Sequence, residues 1–137
     1  MKNDSIAGRL RAFFEAEHHD AAVVYLFGSV ARGDATESSD VDVAVLYTSD
    51  PPLSYDGLPL TLEGELERLL GRTTQLVTMN HAPVDLRVRV LRDGVLVLDR
   101  DPPARIRFEV RTRNEWVDLE PVLRAYRGTG AASEPAR

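Results

Sequence analysis

The chain of 137 residues contains no cysteine, and this absence removes two kinds of protein from consideration. Neither a disulfide framework nor a zinc site built from thiolates can form, and the composition fits a reducing compartment. The sequence also lacks any run close to the roughly 18 consecutive apolar residues of a membrane span. Residues 1–19 carry acidic side chains and have no apolar signal core, so we expect a cytoplasmic protein.

An excess of positive charge is missing as well. The chain has 17 Lys and Arg against 22 Asp and Glu, a net charge of −5. Direct binding to DNA is therefore not expected, because it needs a basic surface. Two segments are nevertheless locally basic, 87–92 (RVRVLR) and 105–113 (RIRFEVRTR). They suit a phosphate-bearing small molecule or an acidic partner, and solvated surface charge is the alternative.

What remains is the composition of one ordinary globular domain, 43% hydrophobic and 28% charged. Its hydrophobic pattern predicts an α/β arrangement, one mixed sheet with helices packed on it, within residues 1–127 and followed by a disordered tail over 128–137. The predicted elements are helix 5–17, strands 21–27 and 40–47, a helix beginning near Pro59, strand 73–79, a short helix, strand 95–98, and a helix from Pro102 to about Tyr126 interrupted or kinked at Pro121.

The strand predicted over 40–47 begins with two aspartates, a residue type that strands usually avoid. Asp40 and Asp42 share one face of the strand and lie roughly 7 Å apart along it. Valines at alternate positions take the other face, which we expect to be buried. A half-exposed strand with polar residues facing outward would explain the pattern without any function.

The segment before this strand favours a functional explanation. The strand 21–27 leads directly into Gly28 and Ser29, where small side chains let backbone N–H groups approach a phosphate. If the two strands are neighbours, this turn lies beside the two aspartates. Mg²⁺ in proteins commonly bridges carboxylates and substrate phosphates. The sequence therefore predicts a site in which a metal–triphosphate complex neutralises the acidic pair.

The pattern G-S-x10-D-x-D resembles the signature of the DNA polymerase β-like nucleotidyltransferase superfamily. Its fuller form, GSVARGDATESSDVDVAVL, is similar to the minimal nucleotidyltransferases. Further segments, LVTMNHAP, LRVRVLRDGVLVLD and RIRFEVRTRNEWVDLEPVLRAY, resemble the MntA-type antitoxins, so the resemblance extends over residues 5–126. It implies the polymerase β-like α/β (α+β) fold.

The resemblance also implies an activity. Members of that family pair with a HEPN-type ribonuclease toxin and transfer AMP from ATP to a tyrosine of the toxin. By resemblance, the catalytic residues that hold Mg²⁺ are Asp40 and Asp42, and the nucleotide-binding residues are Gly28, Ser29, Arg32 and Ser39.

One position departs from the superfamily pattern. A third carboxylate is expected on the strand 73–79, and the residue there is Gln75, which cannot act as a base. Asp85 is the nearest replacement along the chain. Two alternatives therefore stay open: an antitoxin of this fold that acts by binding alone, and a transferase for a small hydroxylated molecule of the aminoglycoside kind.

Overall fold

The computed structural model describes residues 2–18, 20–49 and 60–133. The start of the helix predicted near Pro59 and the last four residues of the predicted tail lie outside them. The elements within these ranges are α1 (Lys2–Ala16), β1 (Ala21–Phe27), α2 (Gly28–Arg32), β2 (Val41–Tyr47), α3 (Leu60–Leu70), β3 (Thr74–Thr78), a 3-10 turn (Met79–His81), α4 (Val84–Asp93), β4 (Val95–Asp99) and α5 (Pro102–Ser133).

The strands form one mixed sheet in the order β3-β2-β1-β4, which confirms the predicted fold class. β1 is antiparallel to both of its neighbours, β2 and β4, and β2 is parallel to β3. The segment AAVVYLF forms β1 and is buried along its whole length. An uninterrupted run of apolar residues suits this central strand, because helices cover both of its faces.

The two faces of the sheet carry separate cores. On one face Leu10 and Phe14 of α1 and Leu66 of α3 pack with the valines of β2. On the other face Val90 of α4 and Phe108 of α5 pack with alternate residues of β1 and β2. Each such side chain contributes about 1.5–3 kcal/mol when fully buried. The second core shares its side of β2 with Asp42, so α4 is the helix next to the acidic end of the strand.

Helix α5 differs from its prediction because it continues through Pro121 to Ser133. Because proline has no backbone N–H, the carbonyl of Val117, four residues before Pro121, lacks its helical hydrogen-bond donor. Val117 lies on an exposed part of the helix, where water can bond to that carbonyl. Residues 128–133, predicted as part of a disordered tail, have helical backbone. Throughout the described ranges, no helix is long and apolar enough to cross a membrane.

Candidate functional site

A cavity of about 450 Å³ lies where the end of β1 meets the beginnings of β2 and β3. The antiparallel register places Phe27 opposite Asp42, and the parallel register places Gln75 on the other side of Asp42. Three strands therefore bring their polar ends to one point beside α4. The cavity is lined by Phe27, Gly28, Ser29, Arg32, Asp42, Gln75, Val77, Leu86, Arg89 and Asp93.

The closest approach in this cavity is between Gly28 and Asp42. Gly28 has φ of 78°, in the left-handed region that favours glycine. A Cβ atom at this position would lie 2.1 Å from Oδ2 of Asp42, far inside van der Waals contact. Glycine is therefore required here twice, by the backbone angle and by the carboxylate packed against it.

Ser29 and Arg32 follow Gly28 on the short helix α2, which ends at Gly33 in the left-handed conformation. The sequence predicts a turn at Gly28 and Ser29 and no helix between the two strands. The helical turn places the side chains of Ser29 and Arg32 in the same cavity as Asp42. Of the four residues expected to bind nucleotide, these two and Gly28 are thus brought together.

Neighbouring groups and burial change the pKa of Asp42. Burial raises the pKa of the Asp42 carboxyl, and the neighbouring charge of Asp40 raises it further, while Arg32 and Arg89 lower it. Two acids close together, one of them partly buried, repel one another unless a cation lies between them. This end of β2 therefore favours the binding of a positive charge.

Asp40 and Ser39 precede the strand, which begins at Val41 and not at residue 40 as predicted. Asp40 is exposed and is not among the cavity-lining residues, although its charge acts on Asp42. The hydroxyl of Ser39 accepts a hydrogen bond from the backbone N–H of Thr36 at 2.9 Å. Ser39 thus closes its own loop, outside the set of residues that line the cavity.

Arg72 ties this loop to the rest of the molecule. It donates hydrogen bonds from Nη2 to the carbonyl oxygens of Thr36 and Ser39, at 2.8 and 2.7 Å. The backbone N–H of Val41 donates to the carbonyl of Thr73 at 2.9 Å. These bonds fix where Asp40 leaves the loop and where β2 begins.

Gln75 occupies the position at which a third carboxylate was expected, in register with Asp42 and exposed to the cavity. Asp85, the proposed replacement, lies in the first turn of α4 and is not among the lining residues. Within the part of the chain that the structure describes, no three His, Asp or Glu side chains are grouped to hold a metal ion.

The sequence left open whether Arg89 contacts a phosphate or is solvated surface charge, and it did not single out Asp93. Both line the cavity from α4, together with Leu86. The spacings of three and four residues place all three on one flank of the helix, a signal that was present in the sequence. The pKa of Asp93 is lowered mainly by its hydrogen bond with Arg92, and also by Arg32 and Arg89.

The donor set fits a divalent cation and a nucleotide. Carboxylate oxygens are the ligands that Mg²⁺ prefers, and the side chain of Asp42 lies directly against Gly28, where no Cβ shields the backbone. Two guanidinium groups, from Arg32 and Arg89, add positive charge to the same cavity. Its remaining wall, formed by Phe27, Val77 and Leu86, is apolar and suits a flat ring.

Comparisons with known proteins agree with this geometry. A family model described as polymerase beta, nucleotidyltransferase matches residues 10–103, a range that includes every residue lining the cavity. The protein adenylyltransferase MntA of Thermococcus cleftensis is 39% identical over 72 residues, which are 53% of this chain and 70% of that protein.

Solved structures show the same fold over nearly the whole chain. A toxin–antitoxin structure with AMP-PNP matches with a TM-score of 0.71 and 22% identity, over 93% of this chain and 96% of that one. A complex of tri-AMPylated Shewanella oneidensis HEPN toxin with MNT antitoxin matches with a TM-score of 0.68 and 20% identity, over 96% and 97%. At such identities the likeness concerns the fold.

Proposed function

Because this chain belongs to the polymerase beta nucleotidyltransferase family, we propose that it is a cytoplasmic, Mg²⁺-dependent transferase of AMP from ATP to a HEPN-type toxin. Two similarities support the choice of donor and acceptor. A relative of similar sequence is named a protein adenylyltransferase, and a structure of the same fold contains an AMPylated HEPN toxin.

The observation that carries the proposal is the contact between Gly28 and Asp42. A phosphate bound by backbone N–H groups at Gly28 and Ser29 would lie next to the Asp42 carboxylate, whose pKa is raised by burial and whose ionised form a bound cation would stabilise. A plain polar strand end would require neither a glycine at this point nor two arginines around the cavity.

In the proposed complex, Asp40 and Asp42 hold Mg²⁺, and Gly28, Ser29 and Arg32 hold the triphosphate. Arg89 approaches from α4 and adds a second guanidinium for phosphate oxygens. Mg²⁺, when bound, would neutralise charge on the carboxylates and on the phosphates. The chain's own contribution is positioning and electrostatics, since none of these residues forms a covalent intermediate.

The proposed step is an in-line displacement at the α-phosphorus of ATP. A hydroxyl oxygen of the acceptor forms the new P–O bond, the bond from the α-phosphorus to the bridging oxygen breaks, and pyrophosphate leaves. The hydroxyl proton must be released in the same process. Gln75 lies beside Asp42 where a base is expected, and its amide cannot accept that proton. The proton therefore goes to water or to a group on the partner.

Gln75 also favours a second candidate function, neutralisation of the toxin by contact alone. With two acids in the site instead of three, the fold could bind nucleotide and partner while transferring AMP too slowly to matter. This candidate predicts the same complex and no covalent AMP.

The transfer assay separates the two. We expect the chain, incubated with a purified HEPN-type toxin, to label that protein from ATP carrying its radiolabel on the α-phosphate. Chelation of Mg²⁺ by EDTA should abolish the label. ATP labelled on the γ-phosphate is the control and should leave the partner unlabelled, because pyrophosphate carries that label away. Label from the γ-phosphate would contradict nucleotidyl transfer, and inhibition without any label would favour binding alone.

Substitution of Gly28 provides a test on this chain without a partner. We expect Gly28→Ala to lose the stabilisation by Mg-ATP in thermal melts, because its Cβ displaces the Asp42 carboxylate. Left-handed backbone strain should itself cost about 1–2 kcal/mol. Gly71→Ala is the matched control, since Gly71 has φ of 69° and no atom within 4 Å of the added Cβ. If both variants keep the Mg-ATP shift, the cavity is not the nucleotide site.

A further inference from the structure

A second cavity of about 400 Å³ lies on the other side of α4 from the nucleotide cavity. Leu86, Arg89 and Asp93 face the nucleotide cavity, and Val88, Leu91 and Arg92 on the opposite flank of α4 face the second one. We refer to this second cavity as the α4–α5 cleft, lined by Val88, Leu91, Arg92, Arg113, Trp116 and Val117.

The cleft is apolar inside and basic at its rim. Leu91 packs against the core beneath the sheet, and Trp116, the only tryptophan of the chain, forms the opposite wall. Val117 is 65% exposed although it is apolar. Tryptophan and arginine are among the residue types that contribute most to the energy of protein contacts.

We propose that the α4–α5 cleft anchors the acceptor protein by holding an apolar side chain that is flanked by carboxylates. This inference rests on the proposed transfer to a protein, because a protein acceptor must be fixed beside the nucleotide before one of its hydroxyls can react.

The distance between the two cavities supports this occupant. A helix with its side chains is about 10–12 Å across, and α4 alone separates the cleft from the nucleotide cavity. Three or four extended residues span about 10–14 Å. One segment of a partner can therefore place an anchor in the cleft and a reactive hydroxyl in the nucleotide cavity.

Charge complementarity sets the chemistry of that segment. Three of the seven arginines in the two basic segments are in ion pairs within the molecule, among them Arg87 with Glu115, and Arg105 with Asp99 and Glu109. Arg92 pairs with Asp93. Of the two arginines that line the cleft, Arg113 is the one without a carboxylate partner among residues 2–18, 20–49 and 60–133, on a chain of net charge −5. A carboxylate of the partner fits this position.

Two exposed valines of α5 give a matched test. Val117 lines the cleft, whereas Val122 does not, and their exposures are 65% and 62%. With the HEPN-type toxin of the transfer assay as probe, we expect Val117→Asp to raise both the Kd for the partner and the KM for it by at least tenfold. The kcat at saturating partner and the KM for Mg-ATP should stay within twofold of wild type. Val122→Asp should match wild type in every measurement, and Arg113→Glu should weaken binding in the same direction as Val117→Asp.

Equal Kd values for wild type, Val117→Asp and Arg113→Glu would overturn the docking site while leaving the transferase proposal intact. If wild type binds the partner tightly but transfers no AMP, only the proposed transferase activity is contradicted. The comparison of Kd values still tests the docking site, because binding is measured without AMP transfer. Sedimentation of the chain without the partner tests whether a second copy of the chain occupies the cleft instead. If Val117→Asp dissociates a homodimer and leaves the Kd for the partner unchanged, the cleft belongs to a second copy and the proposal is wrong.

Discussion

We expect Asp42→Asn to lower the rate of AMP transfer by at least about 10³-fold. The variant should be as stable as wild type at pH 7, or slightly more stable. The loss follows from removing a carboxylate that holds the cation, and electrostatic groups of this kind account for 10²–10³-fold or more. The stability of the variant follows from the pKa of Asp42 in wild type, which burial and the charge of Asp40 raise in the folded protein. An ionised Asp42 is less favourable in the folded state than in the unfolded chain, and the neutral amide removes that penalty.

The raised pKa of Asp42 also determines how the stability difference between Asp42→Asn and wild type depends on pH. Because the folded-state pKa lies above the unfolded value, the penalty is present above the folded pKa and is relieved as the pH falls through it. The difference in Tm between Asp42→Asn and wild type should therefore shrink in acid. Mg-ATP binding by wild type should weaken over the same range, because protons compete with the cation.

Thermal melts with and without Mg-ATP, repeated across this pH range, provide the measurement. Asp85→Asn is the control, since Asp85 is exposed on α4 and does not line the cavity. It should behave as wild type. An unfolded Asp42→Asn protein, or one stabilised by Mg-ATP as strongly as wild type, would contradict the metal-site proposal.

The strands and the long helices could be predicted from the sequence because their hydrophobic periods are clear. β1 was placed at 21–27 and is observed as Ala21–Phe27. The short helix α2 was missed, since GSVAR is too brief to show a period and contains glycine. It forms because Gly28 adopts a positive φ that turns the chain out of the strand, and a sequence pattern does not show that angle.

The candidate site was predictable in part for a similar reason. Gly28, Ser29 and Asp42 belong to one local motif, and the sheet register then brought them together. Arg89 could not be told apart from its neighbours, because the alternating arginines of this distant helix suit either a phosphate or solvated surface charge. Which of those arginines faces a cavity depends on how α4 packs against the sheet. That packing is a tertiary property, set by Val90 and Phe108 in the second core.

The position of Gln75 leads to the second large effect. Its register with Asp42 places residue 75 beside the carboxylate that is proposed to hold the metal. General-base assistance contributes about 10²–10⁴-fold in enzymes, and a tyrosine acceptor, with an ordinary pKa near 10, needs such help at neutral pH. We therefore expect wild type to transfer AMP slowly and Gln75→Asp to raise the rate, by up to about 10²-fold.

Gln75→Asn separates charge from size, because asparagine matches aspartate in shape and carries no charge. It should stay at the wild-type rate or below it, and Asp85→Ala should match wild type because that residue lies outside the cavity. The added acid should also raise the pKa of Asp42 further, so Gln75→Asp should melt lower than Gln75→Asn without Mg-ATP and recover when it is added. Incorporation of α-labelled AMP into the HEPN-type partner measures the rates.

If Gln75→Asp and Gln75→Asn transfer AMP at the same rate, residue 75 is not the missing base. If Asp85→Ala alone is inactive, the base lies on α4. If all variants and wild type are inert while the toxin is still neutralised, the protein acts by contact.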